Sequence, residues 1–133
     1  MHSQGSIIST DNSLDLAIDG TGFFQVLLPS GELVYTRNGA FSRNDEGLLT
    51  TSSGFIIQPE IAIPAEATKI NVSADGIVSV QIPEQVEAQE VGQLQLANFQ
   101  NLTGLQPIGE NFYVESIASG PPILENPFVA GFG

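Results

Sequence analysis

The sequence predicts an all-β domain, built as a sandwich or an irregular partial barrel of short, mostly antiparallel strands with long connections. Turn signals recur about every eight to twelve residues, as in sandwiches and barrels. Between these turns, apolar residues alternate with polar ones in the two-residue period of a strand, and no segment has a convincing helical pattern. The 133 residues, none of them cysteine, suffice for one core that needs no disulfide.

Residues 35–58 contain two turn signals a few residues apart, which leave no room for a helix. Asn38 and Gly39 form a pair that tolerates positive φ at both central positions of a tight turn, so a hairpin is expected there. Residues 44–47, with the sequence Asn-Asp-Glu-Gly, form the second turn. The stretch therefore predicts a double hairpin.

The remaining strands follow from the same alternation. Strands are expected at residues 14–18, 23–28, 33–36, 48–51, 55–58, 61–63, 69–72, 77–82, 93–99 and 112–115. Residues 23–28 are too apolar for a sheet with only one buried face. Residues 73–76, Ser-Ala-Asp-Gly, form the strongest hairpin turn. Residues 83–90 are interpreted as a polar connector in which a helical turn is the weaker alternative.

Three segments divide the chain. Residues 1–10 are expected to be disordered or the start of a linker, residues 11–120 to form a single β core domain, and residues 121–133 to form an extended tail. The two ends resemble cut points in a longer chain, so the tail is expected to lead toward a C-terminal segment that is missing here.

The charge of the chain restricts its partners. Fifteen acidic and three basic residues give a net charge of −12, which repels phosphate backbones and anionic lipids. Neither nucleic acid nor a membrane is therefore expected as a partner, and no apolar run approaches the roughly 20 residues of a spanning helix. The scattered acidic residues are interpreted as a solubilising surface, with a site for a basic partner as the alternative.

Candidate chemical sites are few. The single histidine, His2, lies in the predicted disordered start, and residues 20–22 lack the third glycine of a dinucleotide fingerprint at Gln25. A calcium-loop pattern fails at Ser42 and Ser53. We therefore predict no catalytic, cofactor-binding or metal-binding residue, no cofactor and no enzymatic activity. A carbohydrate- or ligand-binding β module, or a glycoside hydrolase using paired carboxylates, remains the alternative.

Arg37 is informative because cations are scarce in this chain. It is either an exposed turn residue or a bidentate strut held between carboxylates such as Asp19 or Asp45, and the strut is favoured.

Two blocks of sequence resemble the signature of the bacterial flagellar rod and hook proteins. They are residues 14–26, LDLAIDGTGFFQV, and residues 35–41, YTRNGAF. The resemblance extends from about residue 9 to residue 120 and is strongest to the distal rod member of the family. We assign the following residues to the structural motif of the family: Tyr35, Thr36, Arg37, Gly39, Phe41, Asp75 and Gly76.

The resemblance implies a structural role in the distal rod, a helical drive shaft that transmits torque from the motor to the hook. It implies a location in the periplasmic rod of the basal body and secretion by the flagellar export apparatus. The implied partners are further copies of the chain, other rod proteins, the hook protein and the surrounding ring bushing. Terminal helical segments typical of the family are missing, so this chain alone is expected to be monomeric. The resemblance names no contact residue.

Overall fold

A computed structural model describes residues 6–9, 14–109 and 111–127 of the chain. Within these residues the protein is all-β and every strand pairing is antiparallel, which confirms the predicted fold class. The helical element of the described chain is a single 3-10 turn at Leu102–Gly104.

The described strands are β1 Ser6–Ser9, β2 Asp15–Asp19, β3 Phe23–Leu27, β4 Leu33–Thr36, β5 Gly39–Arg43, β6 Leu49–Thr51, β7 Ile56–Gln58, β8 Lys69–Val72, β9 Ile77–Gln81, β10 Gln89–Gln93, β11 Leu96–Asn98, β12 Gln106–Gly109, β13 Phe112–Val114 and β14 Ile123–Glu125. The larger sheet has the order β1-β2-β5-β6-β7-β3-β4-β13-β12, with β11 bridging β3 and β14. The smaller sheet has the order β10-β9-β8. Among the described strands the larger sheet ends at β1 and β12, so it is not closed into a barrel.

Strand β3 is the centre of the larger sheet. It pairs with β4 on one side, while on the other side β7 pairs with its second half and β11 with its first. Four of its five residues are buried, including Phe23 and Phe24 on opposite faces of the strand. Because both faces of β3 are buried, its sequence is apolar at nearly every position and does not alternate with polar residues.

The two sheets share one hydrophobic core. Val78 and Val80 of the smaller sheet pack in the same cluster as Phe24 and Val26 of β3, and all four are at most 1% exposed. A second cluster lies on the other face of β3 and contains Phe23, Tyr35, Ala97, Phe99 and Leu105. The central part of the larger sheet is therefore covered on both faces.

Two predicted turns have the backbone geometry that their glycines allow. Gly47 has φ +84° and its N–H donates to the Asn44 carbonyl oxygen at 2.9 Å, closing the β5–β6 hairpin. Gly76 has φ +87° and its N–H donates to the Ser73 carbonyl oxygen at 2.9 Å, closing the β8–β9 hairpin. Local turn chemistry therefore predicts these two reversals correctly.

The predicted hairpin at Asn38 and Gly39 is wrong. Strand β4 pairs with β3 and β13, whereas β5 pairs with β2 and β6, so the two strands that flank this dipeptide are not partners. Neither residue has a positive φ. The chain passes here from β4, which pairs with β3 and β13, to β5, which pairs with β2 and β6. A glycine is needed at position 39 because of a close contact with Leu16 rather than because of a turn.

Several strand boundaries also differ from the prediction. Residues 6–9 of the predicted linker start form β1, and the predicted strand at 61–63 is a single bridge between Ala62 and Leu48. The predicted strand 93–99 is interrupted where the chain passes from the smaller to the larger sheet, and β10 begins inside the predicted connector 83–90. Strands β12 and β14 were not predicted. Residues 1–5, 10–13, 110 and 128–133 lie outside the described residues, and with them His2, for which no role is predicted.

Candidate assembly surface

Tyr35 is a core residue of β4. It is 0% exposed, pairs with Gln25 and Tyr113 across the sheet, and stacks edge-on against Phe99 with ring centroids 4.9 Å apart. Its hydroxyl oxygen accepts a hydrogen bond from Gln25 Nε2 at 3.3 Å. Burial raises the pKa of the Tyr35 hydroxyl above its usual value near 10, and the Glu115 carboxylate raises it further, whereas the Gln25 hydrogen bond lowers it.

Arg37 joins two segments that are distant in sequence. Its Nη1 donates to the Gly22 carbonyl oxygen at 2.7 Å and its Nη2 donates to the Ile18 carbonyl oxygen at 3.1 Å. Arg37 is therefore a bidentate strut between two backbone carbonyls, and the carboxylates such as Asp19 or Asp45 that the favoured interpretation expected as its partners are wrong. The strut fixes the end of β2 against the start of β3, although the side chain as a whole remains exposed.

Gly39 is required by a close approach of two backbones. A Cβ atom at this position would lie 2.0 Å from the carbonyl oxygen of Leu16, its partner across the β2–β5 pairing. Such a distance is far inside van der Waals contact, so only glycine fits without a shift of backbone atoms.

Thr36 and Phe41 flank this crossing. Thr36 Oγ1 accepts a hydrogen bond from the Asn38 N–H at 3.0 Å, which orders the connection between β4 and β5. The Phe41 ring lies edge-on to Phe24 at 4.9 Å, and the Phe41 N–H donates to the Leu14 carbonyl oxygen at 2.9 Å. Both side chains are buried and contribute to the interior rather than to the surface.

Asp75 and Gly76 belong to a different part of the fold from the other five motif residues. They form the β8–β9 turn of the smaller sheet, where a Cβ on Gly76 would lie 2.5 Å from the Leu94 carbonyl oxygen. The Asp75 carbonyl oxygen accepts a hydrogen bond from Gln93 Nε2 at 2.9 Å, and the Asp75 carboxylate accepts one from the Ser73 hydroxyl. The turn is therefore tied to β10 and to the chain that leads into β11.

Two open clefts contain the cations of the described chain. The first, here called the Arg37 cleft, has a volume of about 380 Å³ and is lined by Phe23, Arg37, Asn38, Leu102, Leu105, Asn111 and Tyr113. The second, of about 530 Å³, contains Arg43 and Lys69. Within the described residues no three metal-ligating side chains lie together, and no helix is long and apolar enough to cross a membrane.

Sequence reasoning missed the exposed apolar residues. Val86 is 97% exposed in the connector between β9 and β10, and Leu102 is 49% exposed at the rim of the Arg37 cleft. A signal for Val86 was present in the sequence, because a β-branched apolar residue stands alone in an acidic connector. The position of Leu102 beside Arg37 depends on the tertiary fold and carries no local signal.

Comparison with known proteins identifies the relatives of this chain. A family model described as the flagellar hook protein FlgE/F/G D1 domain matches residues 17–80. The chain is 51% identical over 132 residues to the flagellar basal-body rod protein FlgG of Buchnera aphidicola subsp. Baizongia pistaciae, covering 99% of this chain and 51% of that protein. The chain thus spans about half the length of the curated relatives it matches.

One bacterium provides a comparison between two relatives. The chain is 50% identical over 130 residues to the basal-body rod protein FlgG of Caulobacter vibrioides, covering 98% of this chain and 50% of that protein. It is 34% identical over 122 residues to the basal-body rod protein FlgF of the same bacterium, covering 89% of this chain and 47% of that protein. These relatives are named as flagellar proteins, and they give no support to a carbohydrate-binding module or a glycoside hydrolase.

Proposed function

The chain belongs to the family of flagellar rod and hook proteins, and from this premise we propose that it is the β domain of a distal-rod subunit. The observation that carries the proposal is the comparison within Caulobacter vibrioides. There the chain is 50% identical to the basal-body rod protein FlgG, the distal-rod subunit, and 34% identical to a second basal-body rod protein, FlgF. The role is structural: the subunit repeats helically in a drive shaft that transmits torque from the motor to the hook.

A drive shaft needs subunits that transmit force without deforming, and the packing of this domain supports that role. Strand β3 has neighbours on both edges and buried side chains on both faces. The two sheets share one core, and close-packed interiors have low compressibility. The Arg37 strut adds a fixed link between β2 and the start of β3.

The seven motif residues serve, in this proposal, to build the rigid domain rather than to bind a substrate. Tyr35, Thr36 and Phe41 are buried, and Gly39 permits the approach of two backbones. We therefore assign no catalytic role to the chain and no cofactor. Its partners are further copies of itself, other rod proteins, the hook protein and the ring bushing. The protein is located in the periplasmic rod and is secreted by the flagellar export apparatus.

A domain exchange tests this function. The chain replaces the matching segment of the Caulobacter vibrioides rod protein FlgG, to which it is 50% identical, in a strain that lacks the native gene. We expect the chimera to restore swimming in soft agar, because the replaced domain provides an equivalent rod module. A chimera that is exported and stable but produces no hooks refutes the proposal.

A matched control separates folding from assembly. Val78 is 0% exposed in the shared core, so Val78→Asp introduces an unpaired buried charge that unfolds the domain. The chimera with this substitution is expected not to swim. Swimming by this variant contradicts the claim that the folded domain is needed.

A further inference from the structure

The Arg37 cleft combines an apolar floor with one positive charge. Phe23 and Leu105 form part of the second hydrophobic cluster at its base, and Tyr113 packs against that cluster. Leu102, in the 3-10 turn, is half exposed at the rim. The cleft therefore fits an apolar side chain that has a carboxylate beside it.

Arg37 is positioned before any partner arrives. Its hydrogen bonds to the Gly22 and Ile18 carbonyl oxygens hold two of the five guanidinium N–H donors, leaving others for an external acceptor. A guanidinium that is already ordered loses less conformational entropy when a carboxylate binds it. By comparison, Arg43 donates a single bond of 3.4 Å, to the Pro64 carbonyl oxygen.

The connector at residues 83–88, here called the knob, has the complementary composition. Val86, almost fully exposed at 97%, lies between the exposed residues Glu84 and Glu87. Its backbone is held in place, because the Gln85 carbonyl oxygen accepts a hydrogen bond from Gln81 Nε2 at 2.7 Å and the Gln85 N–H donates to the Ile82 carbonyl oxygen at 3.1 Å. The knob presents an apolar tip flanked by two carboxylates.

We propose that the knob of one copy docks in the Arg37 cleft of a second copy. Val86 contacts Leu102 and the apolar floor of the cleft, and a glutamate carboxylate of the knob accepts hydrogen bonds from Arg37. Charge complementarity favours a second copy as the occupant: copies that each carry a net charge of −12 repel one another, and a contact that places Arg37 against Glu84 and Glu87 offsets part of this repulsion. The inference rests on the proposed function, in which copies of the chain assemble.

The positions of the two surfaces suit an open polymer. The knob precedes β10, a strand of five residues spanning about 17 Å, and β10 leads to β11, whose Ala97 pairs with Phe23 in the cleft. The knob and the cleft are therefore different surfaces on separate parts of the domain. A contact between different surfaces is heterologous, so it repeats into an open helical array unless it closes into a ring, whereas a two-fold contact stops at a dimer.

Three variants with the same net charge test the contact. Val86→Asp blocks the knob, Leu102→Asp blocks the cleft, and Ile117→Asp changes a fully exposed apolar residue that lines a different cleft. Sedimentation velocity at about 0.15 M salt, where charges more than about 8 Å apart are largely screened, and at up to about 1 mM protein measures self-association in the range of a weak interface. We expect the first two variants to weaken self-association by at least about tenfold and the third to leave it unchanged.

The decisive measurement mixes the two blocked variants. Val86→Asp retains an intact cleft and Leu102→Asp retains an intact knob, so the mixture is expected to form one-to-one heterodimers that grow no further. Each variant alone is expected to associate at least about tenfold more weakly than the mixture. The chain is expected to be monomeric at micromolar concentration, so the contact is a weak one, and a chain without substitutions that still does not associate at about 1 mM overturns the proposal. A mixture as monomeric as its separate components overturns it as well. An equal effect of Ile117→Asp also overturns it.

This outcome is distinguishable from that of the proposed function. If the chimera restores swimming but the mixture stays monomeric, the knob contact is wrong and the rod function stands. If the mixture forms heterodimers but the chimera is exported without producing hooks, the contact stands and the distal-rod function is wrong.

Discussion

Substitution of Arg37 by alanine removes the link between the end of β2 and the start of β3. Two hydrogen bonds are lost, those from Nη1 to the Gly22 carbonyl oxygen at 2.7 Å and from Nη2 to the Ile18 carbonyl oxygen at 3.1 Å. Each is a hydrogen bond from a charged donor, which contributes about 1.5–3 kcal/mol when well formed. We expect Arg37→Ala to lower the free energy of unfolding.

The exposure of Arg37 sets the size of the effect. Water can replace the guanidinium at both carbonyl oxygens, so the expected loss is about 2 kcal/mol, less than the sum of two fully buried bonds. For a domain of this length about 1 kcal/mol corresponds to roughly 4 °C, so the melting temperature should fall by about 8 °C. Arg37→Lys keeps the charge but presents one ammonium to two carbonyls, and an intermediate loss is expected.

Differential scanning calorimetry and urea denaturation measure both quantities. Arg43→Ala is the matched control, because it removes the same charge from β5 and loses a single long hydrogen bond to the Pro64 carbonyl oxygen. Its expected cost is below about 0.5 kcal/mol. A melting temperature for Arg37→Ala equal to that of Arg43→Ala refutes the strut.

Two further predictions concern the same stretch of chain. Gly39→Ala places a Cβ atom 2.0 Å from the Leu16 carbonyl oxygen, so we expect it to lower the free energy of unfolding, measured by urea denaturation, by about 3 kcal/mol. Gly54→Ala is the control: its Cβ has no neighbour within 4 Å and only the positive φ of residue 54 is unfavourable, so the expected loss is about 1 kcal/mol. Equal losses for the two variants contradict the backbone contact. Because burial raises the pKa of Tyr35, the stability it contributes is complete below about pH 10 and falls as the pH rises through the raised pKa. Tyr35→Phe removes the titrating hydroxyl and its hydrogen bond with Gln25, so we expect the free energy of unfolding to be about 1 kcal/mol lower at about pH 8. We also expect this free energy to fall less between about pH 8 and pH 11 than it does in the unsubstituted chain, as measured by urea denaturation. An unchanged fall shows that the Tyr35 hydroxyl does not cause the alkaline loss of stability.

The turns show where sequence reasoning succeeds. Gly47 and Gly76 adopt positive φ in turns closed by hydrogen bonds within four residues, so neighbouring residues alone determine them. Gly39 shows where it fails. A glycine is required at position 39 because the backbone of Leu16, 23 positions earlier (39 − 16), lies too close for a Cβ atom. The local sequence does not reveal this contact, because it contains the same Asn-Gly pair that a hairpin turn would use.

The partners of Arg37 illustrate a second limit. Carboxylates are visible in a sequence and were named as partners, whereas backbone carbonyls occur at every residue and provide no signal. The edge strands were missed for a related reason: all four residues of β12 are exposed, as are Ile123 and Leu124 of β14. Without one buried face the two-residue alternation disappears, so only pairing in the folded sheet defines these strands.

Electron cryo-microscopy of hook–basal bodies purified from the chimeric Caulobacter vibrioides strain shows directly whether this domain builds the rod. We expect density for the two-sheet β domain repeated helically along the rod, with the Arg37 cleft of one copy facing the knob of another. If the domain repeats helically along the rod without that contact, the proposed function is supported and the proposed interface is wrong. A rod that forms without the chimeric protein refutes the proposed function in the rod.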